Sequence, residues 1–415
     1  MGRDGLNKLS REYQVAVLMA LSAMFTLAGY EFIRSASTVL FKSAYGAENL
    51  PLVMAAMPFV VFAGVALYGR ILTALGPRRT LLVTSLGSGL LIFCCYLSLL
   101  SGSKIVTPVL FLIKELYIVL LIEQYWSYIN SSLSTTTAKK VNGPVTGVAG
   151  IGGAIGGTLV GLTASQWGTE TMILLAAISV IPAALLSNFT YMKLGEPEIP
   201  PVDPENVSYM GWQKFRENPM LIYLLAVVLI SQLVAAVLDL KFQGLLSIEF
   251  AGAQDKETAF QGWFWGTLNT SVLLLQFIIV PLLLSFVSLR AIHVLMPLIH
   301  ACAIGFAIIE PSIFSVGLAL FLFKAFDYSV FRAAKEVLYV PLGYDERYRA
   351  KQVIDVFGYR TGKGGSSVVI VVLQKLGVVM GNYYLAIGFI ATVVWLALVF
   401  KLTKHTDTVN DNDSV

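Results

Sequence analysis

The stretch FLIKELYIVLLIEQYWSYIN, residues 111–130, is long and apolar enough to cross a bilayer, yet it carries Lys114, Glu115 and Glu123. A second stretch, FLFKAFDYSVFRAAKEVLYV at 321–340, has the same character and also contains charged residues. Ionised side chains are costly at bilayer depth and persist mainly where they face a partner or a water-filled path. Both stretches therefore predict membrane helices whose charges have a function.

The composition of the whole chain supports a membrane protein. Of its 415 residues, 56% are hydrophobic and 13% are charged, whereas charged residues make up about 25% of a soluble globular protein. The three cysteines lie in apolar runs without the spacing of a disulfide framework or a zinc site. The three histidines are scattered and no nucleophile motif is present. We therefore expect no enzyme activity, no metal site and no cofactor.

Twelve apolar segments, each close to the length of about 20 residues that a membrane crossing requires, follow one another along the chain. They lie near residues 13–33, 50–70, 80–100, 106–132, 142–165, 171–193, 220–240, 263–286, 291–309, 312–341, 357–380 and 383–402. The longest polar interruption follows the sixth segment and is rich in Pro and Glu. The predicted organisation is an N-terminal six-helix bundle at 1–194, a cytoplasmic linker at 195–219, a C-terminal six-helix bundle at 220–403 and a polar tail at 404–415.

Lys and Arg are distributed unevenly among the loops. Most of them lie on the side that holds both chain ends, and the other side has little beyond Lys42, Lys104 and Lys256. Because cytoplasmic loops carry the excess of Lys and Arg, we expect both termini to be cytoplasmic.

The two halves of the chain resemble each other. FLIKELY at 111–117 aligns with FLFKAFD at 321–327 at an offset of 210. The segments that follow also align, at an offset that is larger by two residues. An even number of spans in each half makes the halves parallel repeats, which resembles the major facilitator arrangement with a central site between the halves. We expect an all-α membrane protein of twelve transmembrane helices in two parallel six-helix repeats.

Two glycine-rich runs suggest either helix packing or a phosphate-binding loop. GPVTGVAGIGGAIGGTLVG at 143–161 favours packing, because small residues let membrane helices approach closely. In GYRTGKGGSS at 358–367, the glycines are too close together for the Walker pattern and Gly364 stands where Ser or Thr should follow Lys363. We therefore predict helices at both runs and no ATPase site.

Charges in or near the predicted spans are more often positive than negative. The cations are Arg34, Lys114, Lys241, Lys324, Arg332, Lys335, Arg360 and Lys363, and the anions are Glu31, Glu115, Glu123, Asp239, Asp327 and Glu336. The surplus suits an anionic substrate that completes the neutralisation on binding. On a regular helix, Lys324, Asp327 and Lys335 share roughly one face, and Arg332 and Glu336 form an i, i+4 pair. The alternative is that these charges are structural pairs.

The block DYSVFRAAKEVLYVPLGYDERYRAKQVIDVFGYRTGKGGSS, residues 327–367, resembles the signature between helices ten and eleven of the non-mitochondrial ATP/ADP translocases, the nucleotide transporters of plastids and obligate intracellular bacteria. The matching positions are Lys335, Glu336, Tyr339, Pro341, Leu342, Lys351, Ile354, Asp355, Gly362 and Lys363. Glu115 and Asp239 also fall where this family has acidic residues, the first at a position that the family uses in transport. The resemblance extends more loosely over most of the chain.

One departure from the family pattern follows Arg34. The family usually has a Lys-Asp pair near the end of helix one, whereas this chain has Ser37 and Thr38. Serine cannot replace the point charge of lysine. Since the chain also lacks the transit extension of plastid members, we expect a divergent bacterial inner-membrane relative whose cargo can differ from ATP and ADP.

The resemblance implies a secondary-active, alternating-access transporter of a nucleotide or related phosphorylated anion, with ATP/ADP-type exchange. We assign substrate contacts to Arg34, Lys324, Lys335, Lys363, Arg360 and Tyr328. We assign gating or charge pairing to Glu115, Glu123, Asp239, Asp327, Arg332 and Glu336. The expected partners are a small anionic substrate and the lipid bilayer, with no nucleic-acid polymer, and we expect a monomer.

Other functions stay open at this point. One is a carrier of a different anion, a lipid or an amphiphile, and proton coupling through Glu115 or Glu123 is compatible with any of these carriers. Another is a sensor that kept the signature and lost transport, which the departure at Ser37 and Thr38 keeps open. Rings for stacking on a base, or for ordinary packing, are supplied by Tyr30, Tyr117, Trp126, Tyr128 and Tyr328.

Overall fold

The computed structural model describes residues 3–196, 215, 218–339 and 353–412, and nearly all of them are helical. Within these residues there is no β-strand, as the fold class predicted. The helices are α1 (Arg3–Tyr45), α2 (Leu50–Leu100), α3 (Val106–Ser132), α4 (Thr135–Trp167), α5 (Thr169–Leu194), α6 (Pro219–Glu249), α7 (Gln254–Leu274), α8 (Val280–Phe286), α9 (Leu289–Ile309), α10 (Ile313–Phe326), α11 (Arg332–Leu338), α12 (Tyr359–Lys375) and α13 (Tyr384–Asn412). Three π-helical segments, Leu275–Ile279, Asp327–Phe331 and Val353–Gly358, connect α7 to α8, connect α10 to α11 and precede α12.

The helices account for all twelve predicted membrane segments. Among the described residues, 9 helical segments are long and apolar enough to cross a membrane. One of them, Ala47–Leu100, covers the second and third predicted segments, with a non-helical break at Gly76 (φ 73°). The fourth and eleventh segments are α3, which contains charged residues, and α12, which is 17 residues long. The protein is therefore an integral, multi-pass membrane protein.

The chain divides into two compact units. Unit 1 comprises Met1–Gly46, Phe59–Pro201 and Phe250–Leu273, as far as these ranges are described. Unit 2 comprises, with the same restriction, Ala47–Pro58, Val202–Glu249 and Leu274–Val415. Nearly all of α7 therefore belongs to unit 1, although α6 belongs to unit 2. The predicted domain boundaries follow the order of the chain and stay a prediction.

In unit 1, α1 packs against α3, α4 and α5. The first glycine run lies on α4, which is a continuous helix as predicted. A methyl group added at Gly156 would overlap the backbone of Ala28 on α1. One added at Gly157 would lie 2.5 Å from the backbone nitrogen of Gly266 on α7. The run is therefore a packing surface for two helices and not a phosphate-binding loop.

In unit 2, α6 packs against α10, α12 and α13, and α9 packs against α13. The second glycine-rich run falls at the start of α12 and is helical, so it does not form a Walker loop. A methyl group at Gly362 would lie 2.7 Å from Cβ of Gln232 on α6. These glycines also serve close helix packing.

Candidate functional site

Unit 1 contains a group of buried and partly buried charged, polar and aromatic side chains contributed by α1, α3 and α7. Nη1 of Arg34 donates to Oε1 of Glu31 at 3.2 Å. Nδ2 of Asn269 donates to the same oxygen at 3.0 Å. The guanidinium carbon of Arg34 lies 3.4 Å from the centre of the Trp265 ring. We call this group the arginine cluster, defined as Glu31, Arg34, Tyr117, Trp265 and Asn269.

The arginine cluster combines local and distant parts of the chain. Glu31 and Arg34 lie three residues apart on α1, so helical geometry alone places them together. Asn269 lies 238 residues after Glu31. It reaches Glu31 because α7 can approach α4 closely where Gly157 faces Gly266, the residue after Trp265. The predicted substrate contact at Arg34 is thus a cation held between a carboxylate and an aromatic face.

The residues that depart from the family pattern lie in the same unit and are buried. Nζ of Lys114 on α3 donates to Oγ1 of Thr38 at 2.9 Å and lies 3.6 Å from the centre of the Phe111 ring. Oγ of Ser37 has no hydrogen-bond partner within the described ranges. A lysine therefore does lie beside Thr38, although it comes from α3 and not from α1.

A second buried ion pair links α1 and α7. Lys42 is paired with Glu257, and the two residues are 6% and 5% exposed. Oε1 of Glu257 also accepts from Nε2 of Gln261 at 3.4 Å. The expectation that Lys42 lies in a loop was wrong, because α1 continues to Tyr45 beyond the apolar segment that defined the predicted span.

Unit 2 contains its own group of charged and aromatic residues. Lys335 is 2% exposed and forms an ion pair with Asp355. Its Nζ lies 4.8 Å from the centre of the Tyr359 ring. Nζ of Lys324 lies 5.3 Å from the centre of the Tyr328 ring. We call this group the lysine cluster, defined as Lys324, Asp327, Tyr328, Lys335, Asp355 and Tyr359.

Asp327 is a buried carboxylate among cations. Its charged neighbours are Lys324, Arg332 and Lys335, and its Oδ1 has no hydrogen-bond partner among the described residues. The segment Asp327–Phe331 is π-helical, so the regular helical register that the prediction assumed is wrong here. The three residues predicted to share a face are nevertheless all buried. Single π-helical turns are frequent at functional sites.

The other predicted site residues are less buried or are not described. Glu123 and Arg332 are exposed, whereas Glu115, Tyr328, Asp239, Glu336 and Lys363 are partly buried. Arg360 lies on α12, but its side chain is outside the described part of the structure, as are the signature residues Pro341, Leu342 and Lys351. The roles assigned to these residues stay predictions.

Eight residues of these groups were not predicted as site residues: Glu31, Lys42, Tyr117, Glu257, Trp265, Asn269, Asp355 and Tyr359. Three of the eight, Glu257, Trp265 and Asn269, come from a segment in which no site residue was predicted. All three lie on α7, within the segment QDKETAFQGWFWGTLNT at 254–270. Acidic and amide side chains in a membrane helix usually mark an interior or a partner. Their presence in this segment is the signal that could have located them.

The fold agrees with that of solved transporters. A variant of the nucleoside transporter NupG superposes with a TM-score of 0.67, over 95% of this chain and 99% of that chain, at 12% identity. An auto-inhibited POT family peptide transporter superposes with a TM-score of 0.66, over 93% of this chain and 96% of that chain, also at 12% identity. The protein is an all-α membrane protein with the major facilitator fold, as predicted.

Sequence comparisons show similarity to a narrower group of proteins. Residues 240–406 match the model of the TLC ATP/ADP transporter family. ADP,ATP carrier protein 1 of Rickettsia bellii (strain RML369-C) is 30% identical over 94 residues, which are 21% of this chain and 19% of the relative. ADP,ATP carrier protein 1 of Chlamydia trachomatis serovar D is 37% identical over 87 residues, which are 20% of this chain and 16% of the relative.

In these alignments the chain spans about a fifth or less of the length of the curated relatives it matches. The C-terminal part of the chain is therefore similar to the TLC ATP/ADP transporters, which confirms the resemblance predicted from its signature block.

Proposed function

We propose that the protein is a secondary-active, alternating-access transporter that exchanges ATP, ADP or a closely related phosphorylated anion across the membrane. The observation that carries this proposal is the buried Lys335, which is paired with Asp355 beside the ring of Tyr359. All three residues lie inside the region that matches the TLC model. The relatives from Rickettsia and Chlamydia are ADP,ATP carrier proteins, which supports a nucleotide cargo.

The chemistry of both clusters suits phosphate groups. Lysine offers a compact point charge and arginine a planar fork of donors, and both bind phosphate oxygens through charge-assisted hydrogen bonds. Burial strengthens these interactions because the local dielectric is lower than that of water. A di- or triphosphate can therefore bind such cations tightly enough to be selected from water.

The ion pairs are compatible with exchange. Glu31, Glu257 and Asp355 already neutralise Arg34, Lys42 and Lys335. A substrate phosphate must therefore replace a carboxylate as the partner of a buried cation. Removing a partner from a buried charge is strongly unfavourable, so release of one anion requires that a carboxylate or a second anion takes its place. Replacement of one bound anion by another is the reaction of an exchanger.

Location and assembly are part of the same proposal. We place the protein in a bacterial inner membrane with both termini cytoplasmic, which the excess of Lys and Arg on one side of the predicted spans supports. We propose that it works as a monomer, since twelve membrane segments suffice for a carrier of this fold.

The direct test is ligand-induced thermal stabilisation of the full chain in detergent. The panel comprises nucleoside di- and triphosphates, sugar phosphates and inorganic phosphates. A ligand at a hundredfold excess over its Kd stabilises the native state by about 2.7 kcal/mol. We expect stabilisation by one nucleotide class, which Lys335→Ala abolishes.

The matched control is Lys375→Ala, because Lys375 is exposed at the end of α12. This variant should keep the full stabilisation. If no phosphorylated compound stabilises the wild-type protein, the proposed cargo is wrong, and the lipids and other anions left open by the sequence become the compounds to test.

A further inference from the structure

The arginine cluster contains two buried polar atoms that lack a partner. Oε2 of Glu31 and the hydroxyl of Tyr117 have no hydrogen-bond partner among the residues that the structure describes. Glu31 is 3% exposed and Tyr117 is 2% exposed. Buried polar groups are nearly always hydrogen-bonded in native proteins, so each exception calls for an explanation.

The two atoms belong to neighbouring side chains. The guanidinium carbon of Arg34, the partner of Glu31, lies 5.5 Å from the centre of the Tyr30 ring. The ring of Tyr117 on α3 lies 6.5 Å from the ring of Tyr30, which precedes Glu31 on α1. A carboxylate accepts hydrogen bonds and a phenol donates one, so the two groups are chemically complementary.

The other carboxylate oxygen of Glu31 is already hydrogen-bonded. Its Oε1 accepts from Arg34 and from Asn269. Tyr117 therefore offers a donor to a carboxylate that is at present bound elsewhere.

We propose that Tyr117 is the alternative partner of Glu31, and that the carboxylate moves between two positions as the substrate binds and leaves. In the first position Glu31 neutralises Arg34. When a substrate phosphate binds Arg34, the Glu31 carboxylate accepts a hydrogen bond from the Tyr117 hydroxyl. Tyr117 is thus a positioning residue that acts through Glu31.

The need for a second partner follows from electrostatics. A phosphate bound to Arg34 would lie close to the carboxylate that it displaced, and like charges in a buried site repel strongly. A hydrogen bond from Tyr117 stabilises the ionised carboxylate away from the phosphate. The identity of the anion rests on the proposed function, but the exchange of partners by Glu31 does not.

The first test needs no substrate. Arg34→Met removes the guanidinium, so Glu31 should turn to Tyr117 in the unliganded protein. Tyr117→Phe should then lower the Tm of the Arg34→Met protein by roughly 2 °C more than it lowers the Tm of the wild type. Equal shifts in both backgrounds would overturn the proposal.

The control is Tyr125→Phe. Tyr125 is 1% exposed on the same helix, and its hydroxyl already has a partner in Oγ1 of Thr26 at 2.9 Å. Removing this hydroxyl should lower the Tm equally in both backgrounds. If the Arg34→Met protein is more sensitive to the loss of any tyrosine hydroxyl, both Tyr117→Phe and Tyr125→Phe will lower its Tm more than they lower the Tm of the wild type. That result would overturn the specific role of Tyr117.

The second test uses ADP binding by the full chain. Tyr117→Phe should raise the Kd by about tenfold in the wild type, the effect of one lost hydrogen bond. In a Glu31→Gln background, Tyr117→Phe should leave the Kd unchanged. The neutral amide of Gln does not repel the phosphate, so it does not need Tyr117 as a second partner.

The two tests separate the two claims. Coupling between Arg34→Met and Tyr117→Phe without any ADP binding would uphold the partner exchange and refute the proposed cargo. ADP binding without that coupling would uphold the cargo and refute the partner exchange.

Discussion

The guanidinium carbon of Arg34 on α1 lies 3.4 Å from the centre of the Trp265 ring on α7. This contact gives one of the predicted substrate-binding cations an aromatic face, and Glu31 and Asn269 complete its surroundings. An arginine on an aromatic ring keeps its charge available to an anion, because the ring stabilises the cation without neutralising it.

The first prediction concerns this stacking contact. Trp265→Leu should weaken nucleotide binding roughly 2- to 30-fold, the range expected from a lost cation–π contact. The measurement is the Kd by isothermal titration in detergent. Trp167→Leu is the control, since Trp167 is 56% exposed at the end of α4 and should leave the Kd unchanged. An unchanged Kd in the Trp265 variant would show that the stacking does not serve substrate binding.

The second prediction concerns the close approach of α4 and α7. Gly157→Ala places a methyl group 2.5 Å from the backbone of Gly266, so the helices must separate. We expect a loss of about 1–3 kcal/mol of stability from overpacking, measured as a lower thermal midpoint, together with weaker nucleotide binding. Gly87→Ala on α2 is the control, because outside its own helix no atom of the described residues lies within 4 Å of the added methyl group. Equal behaviour of the two variants would contradict the packing role of the glycine run.

The third prediction concerns the pair of Lys42 and Glu257. Lys42→Met leaves a buried carboxylate without its cation and should destabilise the protein by about 3–5 kcal/mol. The double variant Lys42→Met with Glu257→Met should recover most of this loss, because no charge remains unpaired. Chemical or thermal unfolding of the three proteins measures the effect. A double variant that is less stable than the single one would mean that the pair has a role beyond mutual neutralisation.

The fourth prediction concerns competition between Asp355 and the substrate for Lys335. Asp355→Asn should tighten nucleotide binding by about tenfold and slow exchange, because the carboxylate no longer displaces the bound anion. The control is Glu249→Gln, at an exposed position at the end of α6. The affinity and the exchange rate are measured on the same preparations. Weaker binding in Asp355→Asn would indicate that Asp355 positions Lys335 instead of competing with the substrate.

The sequence predicted the elements better than it predicted the contacts among them. Each of the twelve apolar segments is helical over most of its described residues, and the glycine run on α4 packs as expected, since both features depend on local composition. The buried ion pair of Lys42 was not predicted, because an ion pair at a helix end leaves no periodic pattern in the sequence. Trp265 and Asn269 were not predicted because their partners lie far away along the chain. Only the folded structure brings Trp265 to Arg34 and Asn269 to Glu31.

In the lysine cluster, too, the sequence predicted a buried residue but not its contacts. Lys335 was predicted from its charge inside a membrane helix and from the family signature, and it is buried as expected. Its pairing with Asp355 was not predicted, because the two residues lie 20 positions apart on different helices. The π-helical segment at Asp327–Phe331 also has no simple sequence signal, so the assumed register failed there.

The measurement that tests the central claim most directly is nucleotide exchange by the full chain reconstituted into lipid vesicles. Radiolabelled ADP is supplied outside, and the vesicles contain ATP, ADP or no nucleotide. The account predicts uptake that depends on internal nucleotide, is lost in Lys335→Ala and is retained in Lys375→Ala. Uptake that is absent with every internal nucleotide, or that is the same in empty vesicles, would contradict it.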